Sequence, residues 1–194
     1  MNQDPIIRRY LPLDEDAVVD LWSNAAREAH PFLVGEGTGD REQKMREVYL
    51  IQADNWVAEH NSEVVGLLGM IGSEIGGLFV APASQGLGVG RALVEHAITM
   101  HDEVTLEVYT LNDRARRFYA LMEFEEEGRR LDAETNHELI TLRRTARDSS
   151  VTRPLGIRIS PARCARSSTT PRWEPARESR SSNCHRVRTA VSES

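Results

Sequence analysis

The feature that most constrains this chain is a glycine-rich loop between a buried strand and a helix. The predicted strand Ile75–Val80 runs through Pro82 into a segment with glycine at alternate positions, Gly86, Gly88 and Gly90. Glycine permits positive φ and lets a ligand approach the main chain, because no Cβ intervenes. The first amides of a helix have no partner inside it, and together with the helix dipole they attract anions. The sequence therefore predicts a site for a phosphate or pyrophosphate.

Two common phosphate-binding loops do not fit this spacing. A Walker loop ends in Gly-Lys-Ser/Thr, whereas here Gly90 is followed by Arg91 and Ala92. A dinucleotide fingerprint needs two residues between its second and third glycines, whereas only Val89 separates Gly88 from Gly90. The fingerprint also follows a first strand, and this loop follows at least three predicted strands. Both loops are excluded by spacing and by position.

Hydrophobic periodicity predicts the element order β-α-α-β-β-β-α-β-α-β-β over residues 6–142. A hairpin turn is expected at His60–Ser62, and a β-α-β unit follows the glycine-rich loop. The helix predicted at Asp40–Gln52 is expected to turn four side chains inward, which are Met45, Val48, Tyr49 and Ile51. Hairpins followed by a β-α-β unit indicate a mixed sheet with helices on both faces.

Composition divides the chain into a domain at residues 1–144 and a tail at residues 145–194. The first segment carries 14 basic and 26 acidic side chains, a net charge of −12, whereas the second carries 10 arginines and 4 acids, a net charge of +6. The tail is rich in serine, threonine and proline and has no apolar period, so we expect disorder. It is interpreted as a solvated appendage, a basic arm that touches nucleic acid, or translation past a worn-out stop codon. Its two cysteines, Cys164 and Cys184, exclude a disulfide framework.

Length, hydropathy and the N-terminal residues indicate how many domains the chain forms and in which compartment it is expected. Its 194 residues suit one domain of ordinary size. No apolar run approaches the roughly 18–20 residues of a membrane span. The N-terminus lacks the basic start and apolar segment of a secretory signal. We expect a cytoplasmic protein without a membrane partner.

The loop pattern, Gln85-Gly-x-Gly-x-Gly after a strand that ends in Val-x-Pro, resembles the acyl-CoA loop of the GNAT superfamily of N-acetyltransferases. A second segment, Leu106–Phe124, is similar to the superfamily's series of a strand, Asn-x-x-Ala, Phe-Tyr and Gly-Phe. Glu123 departs from that series, because glycine normally precedes the phenylalanine. Glycine there serves a helix C-terminus, so we expect a local adjustment. The resemblance covers residues 6–142.

The resemblance implies an α/β fold of GNAT type: a central, mostly antiparallel sheet of about seven strands, with helices on both faces and a splay between strands four and five. It also implies acetyl-CoA as cosubstrate, bound in that splay. The pantetheine arm is expected to pair with the main chain of strand four and to contact Asn112, and the pyrophosphate is expected on the loop. These cofactor-binding residues are Leu78, Phe79, Val80, Gln85, Gly86, Leu87, Gly88, Val89, Gly90 and Arg91.

The resemblance further implies direct attack of an amine on the thioester. Tyr119 matches the tyrosine that the family commonly uses as general acid, although it equally suits a core position. Main-chain N–H near Val80 is expected to polarise the carbonyl. Glu74, at the start of strand four, is a candidate base, and its alternative is an exposed turn glutamate. His30 is a second candidate base, with a structural role as its alternative.

The net charge is the one feature of the sequence that bears on the chemical identity of the acceptor. The −12 of residues 1–144 favours the approach of a cation such as an amine, a polyamine or a lysine side chain. Trp22, Phe32 and Tyr49 either line the acceptor pocket or fill the core. The spacing of Asp132, Glu134 and His137 does not favour a metal, and none is expected. The sequence thus predicts an N-acetyltransferase acting on a small-molecule or peptide amine, or alternatively a non-catalytic CoA-binding regulatory module. No nucleic acid partner is expected, and a homodimer stays open.

Overall fold

The computed structural model describes residues 4–145. The predicted tail from residue 146 onward, with both cysteines, lies outside the described residues. The described strands are β1 (Ile6–Arg9), β2 (Asp54–His60), β3 (Glu63–Ile71), β4 (Glu74–Val80), β5 (Glu103–Tyr109), β6 (Glu125–Leu131) and β7 (Glu138–Thr145). The described α-helices are α1 (Glu15–Ala29), α2 (Asp40–Lys44), α3 (Leu50–Gln52), α4 (Val89–Met100) and α5 (Asp113–Leu121). None of these helices is long and apolar enough to cross a membrane.

The seven strands form one sheet in the order β1-β2-β3-β4-β5-β7-β6. Every neighbouring pair is antiparallel except β4 and β5, which run parallel. Within the described residues β4 and β5 pair at two positions only, Glu74 with Thr105 and Ile75 with Leu106. Beyond these positions the two strands diverge. The predicted element order, the mixed sheet and its splay between strands four and five are confirmed.

A β-bulge in β4 accounts for the splay. The register between β3 and β4 shifts by one residue between Gly69 and Met70, which leaves Gly76 as an extra residue in β4. A bulge bends its strand and interrupts the ladder. This bulge comes directly after Ile75, the last residue of β4 that pairs with β5. On the side away from β3, the main chain of β4 beyond the bulge therefore faces the gap rather than a strand.

One face of the sheet carries the larger apolar core. The helices α4 and α5 pack here on strands from both halves of the sheet, and the buried residues include Ala58, Leu68, Ile75, Leu78, Val80, Leu93, Leu106, Val108, Phe118, Tyr119 and Ile140. Gly66 of β3 allows α4 to lie close. A Cβ at Gly66 would stand 2.8 Å from Val89 Cγ1 and 2.9 Å from Leu93 Cδ1.

The opposite face is covered by two different elements. Over β2, β3 and β4, helix α1 and the segment after α2 bury a second apolar core, which includes Val18, Trp22, Ala26, Met45, Val57, Leu67 and Phe79. Over β5 and β7, Tyr109 and Leu139 are covered by Phe32 and Leu33 from the α1–α2 loop. The α1–α2 loop therefore reaches the half of the sheet that lies beyond the splay.

The inward face predicted for the second helix is wrong at one position. Ile51 is 74% exposed, and Leu50 is buried instead. The cause is a π-helical turn at Met45–Tyr49 between α2 and α3. A π-turn takes one more residue than an α-turn, so it rotates all following side chains by one position. Met45, which precedes this shift, is buried as predicted.

Candidate active site

The glycine-rich loop follows β4, as predicted. A 3₁₀ turn at Pro82–Ser84 leads into it. Gly86 and Gly88 have φ values of +75° and +81°, a region that residues with a side chain rarely adopt. Gly88 is the N-cap of α4, so the loop ends in the first turn of that helix.

The main-chain amides of this loop are available to an anion. Among the residues that the structure describes, the Ala92 amide donates to the Gly88 carbonyl at 3.0 Å, and the amides of residues 86–91 donate to no backbone acceptor. These N–H groups lie at the positive end of the α4 dipole. The loop thus fits a pyrophosphate, as the anion-site prediction requires.

Two side-chain amides at this end of the gap have buried nitrogen atoms without a hydrogen-bond partner in the described part of the chain, Asn112 Nδ2 and Gln85 Nε2. Asn112 is 4% exposed and caps α5, where its Oδ1 accepts from the Ala115 amide at 3.0 Å. Gln85 Oε1 accepts from Arg114. Buried donors are nearly always satisfied in folded proteins. The two nitrogen atoms therefore indicate a ligand with hydrogen-bond acceptors, which coenzyme A carries along its whole length.

The remaining predicted cofactor residues differ in what they expose. Leu78 and Val80 point into the core under α4, and Phe79 points into the core under α1, so these residues offer a ligand only their main chain. Leu87 is 53% exposed at the loop tip. Arg91 is exposed in the first turn of α4. The strand thus offers backbone groups, and the loop offers amides and the cation of Arg91.

Tyr119 lies on α5, on the face of the larger core. It is fully buried, and its ring centroid lies 5.2 Å from that of Phe118 and 5.3 Å from that of Phe124. This packing holds the phenol ring in one orientation. Tyr119 thus occupies the core position that the sequence suggested, and its role as general acid stays a prediction.

Glu74 begins β4 and is half-buried opposite Thr105, at the parallel contact that precedes the splay. Its carboxylate lies within electrostatic reach of Arg130. The pKa of Arg130 is raised, first by its hydrogen bonds to Glu107 and further by the charges of Asp132 and Glu74. Glu74 is thus part of a charged group at the apex of the gap, and not an isolated turn residue.

Sequence reasoning missed Glu107 of β5. This residue is 6% exposed, and it follows Leu106, the last residue of β5 that pairs with β4. Arg130 Nε donates to Glu107 Oε1 at 2.6 Å, and a second Arg130 nitrogen donates to Oε2. The signal was present in the strand alternation, because Leu106 and Val108 face the larger core and Glu107 must face away.

Four rings pack together on the same face as Glu107. His30 contacts Phe32 and Tyr109 at centroid distances of 5.7 and 5.2 Å, and Phe32 contacts His137 at 5.1 Å. His30 is 1% exposed, so an amine from solvent does not reach it directly. We call His30, Phe32, Tyr109 and His137 the aromatic cluster. Its member Tyr109 is two residues from Glu107 on β5, so the cluster and Glu107 lie next to each other on the same face of the sheet.

The other residues singled out in the sequence have structural positions. Trp22 is buried in the core under α1, Tyr49 packs against that core, and of the three aromatic candidates only Phe32 lies in the aromatic cluster. Asp132 accepts hydrogen bonds from the Thr135 amide, at 3.0 Å, and from the Thr135 hydroxyl, which orders the β6–β7 turn. Residues 4–145 contain no group of three His, Cys, Asp or Glu side chains arranged to hold a metal.

Comparisons with known proteins agree with this geometry. The Acetyltransferase (GNAT) domain family matches residues 52–126. The chain is 35% identical over 124 residues to the peptidyl-lysine N-acetyltransferase YjaB of Escherichia coli (strain K12), which is 63% of this chain and 84% of that protein. It is 32% identical over 109 residues to the peptidyl-lysine N-acetyltransferase YiaC of the same strain, which is 56% of this chain and 75% of that protein.

Solved structures show the same fold. The solution structure of apo-form YjaB from E. coli matches with a TM-score of 0.66 and 32% identity, over 73% of this chain and 97% of that one. The PaiA N-acetyltransferase of Thermoplasma acidophilum, solved in complex with coenzyme A, matches with a TM-score of 0.54 and 15% identity, over 72% and 98% of the two chains. The chain therefore belongs to the GNAT superfamily and is an acetyl-CoA-dependent N-acetyltransferase.

Proposed function

We propose that the acceptor of this acetyltransferase is the primary amine of a lysine side chain in a peptide or protein. The observation that carries the proposal is the gap between β4 and β5: an amide-rich loop lies at one end, and a buried carboxylate lies at the apex beside the aromatic cluster. A buried carboxylate favours a cationic acceptor, as does the net charge of −12 over residues 1–144. The relatives YjaB and YiaC, both named peptidyl-lysine N-acetyltransferases, support this acceptor class.

The proposal assigns the cofactor to the residues around that gap. Bound acetyl-CoA supplies the acetyl group as an activated thioester. The main chain of Leu78–Val80 pairs with the pantetheine arm, and Asn112 Nδ2 donates to it. The loop from Gln85 to Arg91 holds the pyrophosphate through its amides from Gly86 onward. The unsatisfied nitrogen of Asn112 and the amides without backbone acceptors support this assignment.

Three groups then serve the transfer. Glu74 accepts the proton that the lysine ammonium must lose before its nitrogen can attack, either directly or through water. Main-chain N–H near Val80 donates to the carbonyl oxygen while the new C–N bond forms. Tyr119 donates its hydroxyl proton to the thiolate as the C–S bond breaks, and the second proton that the attacking nitrogen loses restores the phenol through water. The aromatic cluster and Tyr119 belong to opposite faces of the sheet, which supports separate paths for the incoming amine and the departing thiol.

Release of free thiol from acetyl-CoA tests the proposal on a panel of a lysine peptide, a polyamine and a small monoamine. We expect turnover with the lysine peptide. Tyr119→Phe should lower kcat by about 10²-fold or more and leave acetyl-CoA affinity by calorimetry unchanged. Tyr10→Phe, the same chemical change at a residue that packs against the core under α1, is the matched control and should keep kcat.

Three outcomes contradict parts of this proposal. Heat of acetyl-CoA binding without thiol release from any amine would favour a regulatory CoA-binding module. Full kcat in Tyr119→Phe would remove the phenol from the proton transfer while leaving the acceptor class intact. Glu74→Gln should displace the rising limb of the pH–rate profile to higher pH, and an unchanged profile would remove Glu74 as the base.

A further inference from the structure

An ion pair occupies the β5 side of the gap. Glu107 is the first residue of β5 beyond the contact with β4, and its side chain lies on the face of the aromatic cluster. It is 6% exposed, and both its oxygens accept hydrogen bonds from the guanidinium of Arg130. A carboxylate this deeply buried requires a positive partner, because the cost of removing its charge from water is otherwise uncompensated.

Arg130 reaches this position from the edge of the sheet. It lies on β6, and all residues of that strand except Gly128 are exposed. The strand order β5-β7-β6 requires its side chain to cross β7 before it meets Glu107. Arg130 keeps 44% of its side chain exposed while Glu107 keeps 6%. One member of the pair is thus fixed in the interior, and the other is anchored at the solvent boundary with a long, rotatable stem.

The two members therefore differ in how easily they can be replaced. Glu107 cannot leave its site without moving a central strand. Arg130 can rotate into water, where a guanidinium is well solvated, provided that another cation takes its place beside the carboxylate. A lysine ammonium carries the same charge and also donates several hydrogen bonds from one point.

We propose that Arg130 is a placeholder for the acceptor: Glu107 binds the ammonium group of the incoming lysine, and Arg130 swings to solvent when it does. This inference rests on the lysine acceptor proposed above. Glu107 then selects cationic acceptors, and Arg130 keeps the carboxylate paired between turnovers. Arg130 also competes with every acceptor, so it raises the KM for the peptide without entering the chemical step.

The test is whether substitutions of Arg130 and Glu107 shift the peptide KM in opposite directions. It uses the full chain, saturating acetyl-CoA and a lysine peptide. Arg130→Gln should lower the peptide KM at least fivefold with the acetyl-CoA KM unchanged, and Glu107→Gln should raise the peptide KM at least tenfold. Arg130→Lys keeps a cation beside Glu107 and should stay closer to the wild-type KM than Arg130→Gln. Arg129→Gln, which removes a surface arginine paired with Glu126 and Glu138, is the matched control.

A merely structural ion pair gives a different result. Both Arg130→Gln and Glu107→Gln would then lower the melting temperature, and neither would lower the peptide KM. Wild-type turnover on the peptide is measured first, because its absence contradicts the lysine acceptor itself. Once turnover is established, an unchanged or raised peptide KM in a folded Arg130→Gln variant overturns the placeholder alone.

A measurement on the wild-type protein tests the same proposal without depending on whether the variants fold. In protein labelled with ¹⁵N-arginine, the Nε–H of Arg130 is hydrogen-bonded to Glu107 and should exchange slowly with solvent. Saturation with lysine peptide and coenzyme A should accelerate that exchange at least fivefold. Protection that persists at saturation would contradict displacement of Arg130.

Discussion

The two halves of the sheet are covered in different ways. In the half formed by β1–β4, apolar side chains enclose the sheet on both faces, under α4 on one side and under α1 on the other. In the half formed by β5, β7 and β6, the helix face is apolar on β5 and β7, whereas on β6 it carries Glu126 and Arg129. The other face carries the aromatic cluster and the buried pair of Glu107 with Arg130.

This difference separates stability from recognition. Apolar burial on both faces contributes most of the folding free energy and offers nothing to a charged ligand. A buried charged pair contributes little net stability, because desolvation offsets its attraction, yet it presents directional chemistry. We therefore expect substitutions in the first half to change stability and leave the peptide KM alone, and substitutions at the buried pair to change the peptide KM.

The greatest loss of stability is expected at Gly66 in the first half. Gly66→Val places a Cβ within 3 Å of the Val89 and Leu93 side chains and pushes α4 from the sheet. We expect a loss of about 3 kcal/mol in urea denaturation. Gly128→Val in the second half is the matched control, because a Cβ there meets no atom within 4 Å. Equal losses at the two glycines would contradict the division.

The next effect is expected at Asp14, which is 3% exposed and fixes the start of α1 to β1. Arg8 donates to it twice, at 2.7 and 2.9 Å, and the Leu11 amide donates at 2.8 Å. Asp14→Asn should cost about 2 kcal/mol in urea denaturation at pH 7. Asp54→Asn, in the exposed pair with Arg9, should cost at most about 0.5 kcal/mol.

Asp14 also predicts the acid limb of stability. The hydrogen bonds from Arg8 lower the pKa of Asp14 below its ordinary value. The unfolded chain therefore binds this proton at a higher pH, and the contribution of Asp14 is lost as pH falls below about 4 and through the folded-state pKa. Asp14→Asn should flatten this limb, and a limb as steep as in the wild type would contradict the assignment.

A gain of stability is expected at Glu123, the departure from the superfamily series. This residue has φ +64° at the end of α5, a conformation that costs a side-chain residue about 1 kcal/mol. Glu123→Gly should raise stability by about that amount, because the partly exposed pair of Glu123 with Arg144, at 3.6 Å, contributes little. Asn136→Gly, at φ +56°, should gain less, since asparagine tolerates this region. A loss at Glu123 in a melting experiment would contradict the argument.

The smallest change is expected at His96 of α4, whose ring packs 4.2 Å from that of Trp56. Burial, and then the charge of Arg9, lower the pKa of His96. The unfolded chain therefore binds the proton first, and stability falls as pH drops through about 6.5. His96→Gln should flatten the melting temperature between pH 7 and pH 5. An unaltered slope in His96→Gln would contradict this assignment.

The glycine-rich loop and the element order could be predicted because they depend on local spacing. Alternate glycines between a strand and a helix specify an anion site wherever the fold places them. Alternation in β5 likewise fixed which face each side chain takes. The departure at Glu123 was also visible, and its positive φ is the local adjustment expected there.

The features that escaped prediction are single-residue insertions and a distant pairing. The bulge at Gly76 and the π-turn at Met45–Tyr49 each shift a register by one residue without altering composition or average period. The exposed Ile51 follows from the second of these. The partner of Glu107 lies 23 residues away on an edge strand, and the pair exists only because β7 is inserted between β5 and β6.

The bulge in β4 has a consequence for how this protein avoids aggregation. Beyond Gly76, an interior strand has a row of backbone donors and acceptors open to one side, the arrangement that makes outer strands prone to aggregation. Here β5 lies on the far side of the opening, so this open row lies inside the sheet and not at its outer border. A thin chain that carries its own amide groups can still enter. The protein thus has the unpaired backbone groups of an edge strand, but they lie between two strands and not at the outer edge of the sheet.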